Sequence, residues 1–276
     1  MKEPLVSVIL PTHNRAYSIG RAIRSVLKQS YRSLELIIVD DGSTDQTEAV
    51  VAAMSDDRIH YIRKTINEGA AAARNAGLSE AHGELIAFQD SDDEWTPGRL
   101  NKQTSLLYES DADYVYGYIH YRKTLSGEED RLLPAENDLS LLAGNIYPRM
   151  LQSNLIGTPA LVMRRRCYEK LGGFDTAMPA VEDYDYALRL AKNFSGCFLP
   201  EIVLEAAASP DGLTADSVKN LSGACMFIGK YQEDLRTCGL FDRHITDLID
   251  RITPLGEEVV SVTVKMLEGY LRFYQH

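Results

Sequence analysis

The sequence lacks several features that mark common classes of protein. None of its apolar runs approaches the roughly 20 residues that a transmembrane helix needs. A formal net charge of −11 argues against a nucleic-acid-binding surface. No CxxC pair occurs, which predicts reduced, structural thiols in a cytoplasmic protein. The cysteines are Cys167, Cys197, Cys225 and Cys238.

The N-terminus also lacks the pattern of a signal peptide. The stretch MKEPLVSVILPTH contains a short apolar run, but Pro11, His13 and Asn14 follow it and no small-residue cleavage site does. We therefore expect a first strand there, in a protein located in the cytoplasm or at the inner face of the cell membrane.

Familiar phosphate-binding motifs are missing too. No GxGxxG follows the first apolar stretch and no GxxxxGK(S/T) occurs, which argues against a dinucleotide-binding Rossmann unit and excludes a P-loop. The DDGST at 40–44 is similar to the DxDGT of haloacid-dehalogenase phosphatases, but Val39 occupies the position of their nucleophilic aspartate. A sugar-nucleotide pyrophosphorylase would carry a glycine-rich loop with Arg and Lys where PTHNRAYSIG stands.

The first half of the chain alternates between strand-like and helix-like segments. Apolar strands are predicted at 5–10, 34–39, 59–62 and 84–88. Helices are predicted after Ser18, a suitable N-cap, and at 44–54, 69–81 and 97–108. This alternation indicates an α/β fold with a mostly parallel sheet and helices on both faces. Ligands of such sheets bind at the carboxyl ends of the strands, where PTHN, DDGST and QDSDD lie.

The second half is less regular. We expect strands at 112–121 and near 160–163, helices at 165–172 and 182–193, and a polar, irregular, mobile loop at 123–145. From about Ser217 the chain is predicted to be helical. Two apolar stripes, at 218–235 and 245–274, favour a helical bundle packed on the core, with a dimer or membrane-surface face as the alternative.

Four acids follow the fourth predicted strand, in the segment GELIAFQDSDDEW. Carboxylates this close together repel one another, so the cluster suits either solvent or a bound cation. Asp90 and Asp92 are separated by one residue and would point to the same side of an extended segment. Two such oxygen ligands suit Mg²⁺ or Mn²⁺, with phosphates and water in the remaining positions. The alternative is a solvated acidic loop that caps the next helix.

Three other polar segments have both a binding and a structural interpretation. Asp40 and Asp41 would accept hydrogen bonds from a pyrimidine ring and ribose hydroxyls, or would only form a turn and a helix cap. Arg74 is the one cation of its predicted helix and would face a nucleotide or form a surface salt bridge. Glu182 and Asp183 open a helix, where acids complement the helix dipole, but a carboxylate there would also serve as a general base.

With these segments in this order, the chain resembles the family 2 glycosyltransferases, which have the GT-A fold. The matching segments cover most of residues 5–195 and are VSVILPTHNR, LELIIVDDGSTD, NEGAAAARNAGL, GELIAFQDSDDEW, IGTPALVMRRRCYEKLGGFD and EDYDYALRLA. The resemblance implies a GT-A domain at 1–212, with a nucleotide-sugar-binding half to about 115 and an acceptor-binding half from about 116. A helical extension would follow at 213–276.

The resemblance also implies an inverting transferase that uses Mg²⁺ or Mn²⁺ and a nucleotide-diphospho-sugar, usually UDP-linked. The implied nucleotide-sugar contacts are Pro11, Thr12, Asn14, Asp40, Asp41, Arg74, Asp90, Ser91 and Asp92. The implied metal ligands are Asp92 and Asp90, the implied catalytic base is Asp183, and Asp93 and Glu182 would lie on the acceptor side.

One segment departs from the family pattern. Many relatives carry a histidine in a segment like RHPDGLT that helps to complete the metal site, whereas this chain has EAAASPDGLT, with Ser209 before Pro210. The leading hypothesis is a transferase of surface polysaccharide or related glycan synthesis, with a glycan, lipid-linked or small-molecule acceptor. The alternatives are a nucleotide-sugar-binding pseudoenzyme without turnover, and a scaffold whose C-terminal helices recruit a membrane assembly. A homodimer through those helices is a further expectation.

Overall fold

The structure is a computed structural model that describes residues 3–122, 130–136, 138–207 and 217–275. Within these residues, a nine-stranded mixed sheet is flanked by helices. The strands are β1 (Val6–Thr12), β2 (Leu34–Asp40), β3 (Ile59–Arg63), β4 (Leu85–Phe88), β5 (Glu94–Trp95), β6 (Tyr114–Tyr121), β7 (Arg131–Leu133), β8 (Val162–Arg164) and β9 (Gly196–Ala206). The helices are α1 (Ile19–Leu27), α2 (Thr47–Ala52), α3 (Ala70–Glu80), α4 (Arg99–Glu109), α5 (Tyr147–Met150), α6 (Arg165–Leu171), α7 (Glu182–Asn193), α8 (Ser217–Lys230), α9 (Gln232–Thr237), α10 (Phe241–Ile252) and α11 (Glu257–Phe273).

Strands β1 to β4 form the regular part of the sheet, in the order β3-β2-β1-β4 and all parallel. Every residue of β1, β2 and β4 is buried, because α1 packs on one face and α3 on the other. Burial on both faces explains the continuous apolar runs of these strands. The register pairs Thr12 with Asp40 and Ile9 with Phe88, so the segments that follow β1, β2 and β4 leave the sheet at one edge.

The rest of the sheet mixes strand directions. Strand β8 lies antiparallel to β4 and β6, β6 pairs in parallel with β9, and β5 returns antiparallel to β9. The sequence analysis predicts none of β5, β7 and β9. Strand β9 contains Pro200, Glu201 and Glu205, which mask a strand pattern, and its long pairing with β6 stabilises it instead. The segment expected to be irregular at 123–145 contains β7 and a 3₁₀ turn at Leu139–Leu142, while residues 123–129 and 137 lie outside the described residues.

Helices α8 to α11 pack on the rest of the protein. Four residues of the first predicted stripe are buried and belong to the same core cluster as Phe88 of the sheet, whereas Val218 is 70% exposed. The four are Leu221, Cys225, Ile228 and Leu235. This burial covers most of the first stripe. In the second segment, an apolar surface stays exposed on Ile249, Leu255, Val262, Val264 and Phe273, which are 40–72% exposed, so the scaffold alternative is not removed. The predicted boundary at 212 falls among residues 208–216, which the structure does not describe. Across the described ranges, no helix is both long and apolar enough to span a bilayer.

Candidate active site

A cleft of about 2160 Å³ opens at the edge of the sheet where β1, β2 and β4 end. Every predicted site residue except Asp40 lines this cleft. These residues are Pro11, Thr12, Asn14, Asp41, Arg74, Asp90, Ser91, Asp92, Asp93, Glu182 and Asp183. Side chains from distant parts of the chain therefore face one space.

The loop after β1 is held in place by the loop after β2. Asn14 has a φ of 51°, and its side-chain Oδ1 accepts the backbone N–H of Thr44 at 2.8 Å. The backbone N–H of Asn14 donates to Ser43 Oγ at 2.9 Å. The hydroxyl of Thr12, by contrast, is buried and has no hydrogen-bond partner among the described residues. A buried hydroxyl without a partner costs free energy, so a bound ligand or water that pairs with it would be stabilised.

Asp40, the last residue of β2, is fully buried and lies outside the cleft lining. Its two carboxylate oxygens accept the backbone N–H of Ser43 at 2.7 Å and the hydroxyl of Tyr61 at 2.5 Å. Burial and the hydrogen bond to Asp40 raise the pKa of Tyr61 above its usual range. A contact between Asp40 and a nucleotide base would require these bonds to rearrange, and that role stays a prediction.

Asp41 lines the cleft and fixes the beginning of α3. Its carboxylate accepts the backbone N–H groups of Glu68 at 3.0 Å and Gly69 at 2.7 Å, and Lys64 Nζ lies 2.8 Å from it. Gly69 has a φ of 93°, a conformation that glycine adopts without strain. The aspartate and the glycine together set the position of the helix that carries Arg74.

Arg74 joins the two sides of the cleft. Its side chain is only 7% exposed, and its guanidinium donates to Glu182 Oε1 and to Asp90 Oδ1, both at 3.0 Å. The same group lies 5.4 Å from the centre of the Phe174 ring. Burial opposes the charge, but the carboxylates of Asp90, Glu182 and Asp183 outweigh it, so the pKa of Arg74 is raised. Arg74 thus forms ion pairs and lines the cleft at the same time.

The acids after β4 differ in exposure. The side chains of Asp90 and Asp92 are 30% and 21% exposed, whereas Asp93 is buried and accepts the backbone N–H of Ala207 at 3.1 Å. Arg15 Nε lies 3.8 Å from Asp92 Oδ2. Burial, and then the negative charges of Asp90 and Asp92, raise the pKa of Asp93 to about 8. Asp90 and Asp92 thus each lie beside an arginine, whereas Asp93 is buried beside two negative charges.

Asp90 and Asp92 fit a hard divalent cation. In the part of the chain that the structure describes, no group of three or more His, Cys, Asp or Glu side chains forms a metal site by itself. Mg²⁺ in sites with substrate phosphates takes only one or two protein carboxylates, and phosphate oxygens and water complete its shell. Burial is the main cause of the raised pKa of Asp93 and the charges of Asp90 and Asp92 add to it, so a cation bound there would lower this pKa. Ser209, which departs from the expected family pattern, lies outside the described residues.

Glu182 and Asp183 begin helix α7. The preceding Val181 has a φ of 59°, a strained conformation for a β-branched residue that the surrounding structure must hold. Asp183 Oδ1 accepts the backbone N–H of Tyr184 at 2.8 Å. Burial, and then the charge of Glu182, raise the pKa of Asp183 to about 6, and Arg74 opposes the shift. A carboxylate with this pKa is ionised at neutral pH and is a better proton acceptor than an ordinary aspartate.

Several residues that line the cleft are absent from the sequence-based predictions. Arg15 directly follows PTHN, and this adjacency was the available signal. Tyr121 and Arg131 come from β6 and β7, with the Arg131 guanidinium 4.1 Å from the centre of the Tyr121 ring. Lys219 and Asn220 come from α8. Strand pairing and helix packing bring these last four residues to the cleft, so no local sequence pattern identifies them.

Comparison with known proteins assigns the chain to a class of enzyme. The sequence model described as Glycosyl transferase family 2 matches residues 7–171. The protein belongs to glycosyl transferase family 2 and is a transferase. WcaA of Escherichia coli K12, named for colanic acid biosynthesis, is 38% identical over 195 residues, which cover 69% of this chain and 67% of WcaA. The matches to two further curated glycosyltransferases cover only 46% and 26% of those proteins.

Solved structures share the fold. TarS of S. aureus, crystallised as residues 1–349 with UDP-GlcNAc, matches with a TM-score of 0.68 at 21% identity, over 82% of this chain and 65% of that one. The mannosyltransferase PcManGT of Pyrobaculum calidifontis, in complex with GDP-Man and Mn²⁺, matches with a TM-score of 0.65 at 18% identity. The match covers 99% of this chain and 84% of PcManGT. At these identities the likeness concerns the fold, and the predicted GT-A fold is confirmed.

Proposed function

We propose that the protein is an inverting, metal-dependent glycosyltransferase that moves a sugar from a nucleotide-diphospho-sugar, most simply a UDP-sugar, to an acceptor hydroxyl. One observation carries the proposal: Arg74 is hydrogen-bonded at 3.0 Å both to Asp90 of the acidic cluster and to Glu182, the neighbour of Asp183. A site for a leaving diphosphate and a candidate base thus share one cleft. Inverting transfer needs these two parts on opposite faces of one sugar.

The donor would bind between the loops after β1 and β2 and the beginning of α3. Its base and ribose would lie against Pro11, Thr12, Asn14 and Asp41. The proposed contact with Asp40 would require the hydrogen bonds of that buried carboxylate to rearrange. The buried Thr12 hydroxyl offers a hydrogen bond to the ligand. Arg15 and Arg74 supply positive charge next to Asp92 and Asp90, in a protein of net charge −11. The complexes of TarS with UDP-GlcNAc and of PcManGT with GDP-Man support a donor of this class.

Asp92 and Asp90 would hold Mn²⁺ or Mg²⁺, with Asp92 as the principal ligand. When bound, the ion would neutralise the diphosphate and act as a Lewis acid that stabilises the charge of the leaving group. The carboxylates of the pair are partly exposed and line the cleft, which supports this role. The Mn²⁺ in the PcManGT complex supports it as well.

Asp183 would accept the proton of the acceptor hydroxyl. The hydroxyl oxygen forms a bond to the anomeric carbon of the donor sugar as the bond from that carbon to the diphosphate oxygen breaks. The bonding electrons leave with the nucleoside diphosphate, and the proton stays on Asp183. One displacement from the opposite face inverts the anomeric configuration, by the logic that also governs inverting glycosidases. Glu182 and Asp93 would lie on the acceptor side of this step.

We further propose that the product is a surface polysaccharide or related glycan, assembled in the cytoplasm or at the inner face of the membrane. The name of WcaA supports this proposal. The acceptor would be a glycan, a lipid-linked saccharide or a small molecule.

Nucleotide release from candidate donors tests the proposed reaction. The purified protein would be incubated with UDP-GlcNAc, other UDP-sugars and GDP-mannose, with Mn²⁺ or with EDTA. Metal-dependent release of UDP or GDP, and a product of inverted configuration, would support the proposal. Tight binding of a donor without turnover, for every acceptor supplied, would instead favour a pseudoenzyme.

A further inference from the structure

Helix α8 lies directly against the loop that precedes the candidate base. A Cβ atom built on Gly223 would lie 2.8 Å from the carbonyl oxygen of Ala180 and 3.1 Å from its Cβ. Both distances are too short for ordinary van der Waals contact, so only glycine permits this approach of helix and loop. Ala180 is followed by Val181, Glu182 and Asp183.

The contact falls where the backbone needs support. Val181 has a φ of 59°, and a valine keeps such a conformation only when its surroundings enforce it. Ala180 and Val181 line the cleft, as do Lys219 and Asn220 from the first turn of α8. Helix α8 therefore contributes both to the surface of the cleft and to the fixation of the strained residue.

A second set of contacts ties α8 to the first turns of α7. Asp185 is completely buried, and one of its oxygens lies 2.7 Å from Lys230 Nζ and accepts the hydroxyl of Tyr231 at 2.8 Å. Its other oxygen accepts a hydrogen bond from Arg189 Nε at 2.8 Å. A buried carboxylate is costly to leave without its partners, so the contacts with Lys230 and Tyr231 hold the end of α8 against α7.

We infer that α8 is a positioning element for the catalytic carboxylate, and that Gly223 is its positioning residue. This inference rests on the proposed function, because it assigns a task to the C-terminal helices within that reaction. Helix α8 holds the Ala180–Val181 segment so that Asp183 meets the acceptor hydroxyl at the correct angle. The donor site is built on β1, β2 and β4 and meets this segment through the hydrogen bond from Arg74 to Glu182.

Three helical glycines provide a matched experiment. Gly223→Ala pushes α8 away from Ala180. Gly229→Ala, also on α8, crowds Tyr270 of α11 instead, with its Cβ 2.7 Å from the Tyr270 Cβ. Gly269→Ala on α11 adds a methyl group where nothing lies within 4 Å. All three changes raise intrinsic helix propensity alike, so they differ in the neighbour that the new methyl group meets.

The readouts are kcat and KM for the donor in the nucleotide-release assay, together with the thermal unfolding midpoint. We expect Gly223→Ala to lower kcat by about 10- to 100-fold with an unchanged donor KM, the loss typical of a misplacement near 1 Å. Gly229→Ala would lower the unfolding midpoint to a similar degree but keep kcat within about twofold. Gly269→Ala would keep kcat and raise the midpoint, because its methyl group meets no neighbour and alanine favours the helix. Equal kcat losses in Gly223→Ala and Gly229→Ala, or a wild-type kcat in Gly223→Ala, would overturn the inference.

Tyr231→Phe covers the case in which Gly223→Ala does not fold. It removes one hydrogen bond to Asp185 and keeps the ring. It should lower kcat several-fold at constant donor KM, and an unchanged kcat would count against the inference. A wild-type protein that releases no nucleotide from any donor would instead contradict the proposed function. The two failures are therefore distinguishable.

Discussion

The two sides of the cleft carry the same chemical group, a carboxylate, but hold it in different ways. On one side, Asp90 and Asp92 follow β4, a fully buried strand that pairs with β1 and β8. On the other side, Asp183 stands on the first turn of α7. That helix is tied through Asp185 to Lys230, in the C-terminal part of the chain. The central sheet thus fixes one side, while distant helices fix the other.

This difference separates donor binding from proton transfer. Changes in the C-terminal helices would move Asp183 and leave the acidic cluster in place. Arg74 is hydrogen-bonded to both sides and couples them.

The largest expected effect comes from Asp183→Asn. This substitution keeps the size and shape of the side chain on the α7 side of the cleft but removes the proposed base. We expect kcat to fall by about 10²–10⁴-fold, the usual contribution of a general base. The dissociation constant for UDP with Mn²⁺ should stay within about twofold, because the donor side is untouched. Steady-state kinetics and isothermal titration calorimetry measure the two quantities.

Asp242→Asn is the matched control for this variant. Asp242 also lies in the first turn of a helix, α10, but it is exposed and does not line the cleft. Its amide variant should behave as the wild type does. Near-normal turnover in Asp183→Asn would mean that another group accepts the proton.

Asp92→Ala tests the proposed metal site on the β4 side of the cleft. Loss of the principal carboxylate should weaken Mn²⁺-dependent binding of UDP by about 10- to 100-fold, the range seen when the support of a metal site is removed. Binding of uridine, which has no diphosphate, should not change. Glu94→Ala is the control, since Glu94 belongs to the same segment and is exposed. An unaltered Mn²⁺ dependence in Asp92→Ala would argue that the metal binds elsewhere.

The two sides also differed in how well the sequence predicted them. Strands β1 to β4 and helices α1, α3 and α4 lie close to their predicted positions, because each apolar run pairs with neighbours of the same kind and each helix carries its own periodicity. Parallel pairing alone predicts that the segments after β1, β2 and β4 line one cleft. Local pattern was therefore sufficient for one side of the cleft.

On the opposite side, helix α7 also lies at its predicted position, 182–193, but its surroundings depend on contacts that local pattern does not contain. Strand β9 was missed because Pro200 and two glutamates mask it, although it pairs with β6 along most of its length. The contact of Gly223 with Ala180 joins segments that have no shared motif. Even on the well-predicted side, the sequence did not indicate that Asp40 is buried against Tyr61 rather than facing the cleft. Long-range packing decides each of these features.

Arg74→Gln tests the coupling between the sides. The amide keeps much of the side-chain volume but removes the charge that holds the pKa of Asp183 down. Loss of a nearby opposite charge shifts a carboxyl pKa by about 1–3 units, so the acid limb of the kcat profile should move upward by that amount. Activity at pH 7 should fall by about twofold for a shift of one unit and by about 100-fold for a shift of three. Arg74→Lys, which keeps the charge, should shift the limb least. An acid limb that stays in place in Arg74→Gln would show that Arg74 does not control the base.

The smallest expected effect is a pH-dependent difference in stability between the wild type and Asp183→Asn. Burial and Glu182 raise the pKa of Asp183 to about 6, above the value of about 3.9 for an unfolded aspartate. The native state therefore binds this proton more tightly than the unfolded state does. The resulting stabilisation is complete below about pH 4 and is lost as the pH rises through 6.

Asparagine does not ionise, so Asp183→Asn should unfold at a higher temperature than the wild type at pH 8, with a smaller gain at pH 5. Scanning calorimetry in EDTA measures the unfolding temperature of each variant relative to the wild type at both pH values. For the control Asp242→Asn, this difference in unfolding temperature should be the same at pH 5 and at pH 8. A gain for Asp183→Asn that is equal at pH 5 and pH 8 would mean that its carboxyl group is not held in the low-polarity environment on which its role as a base depends.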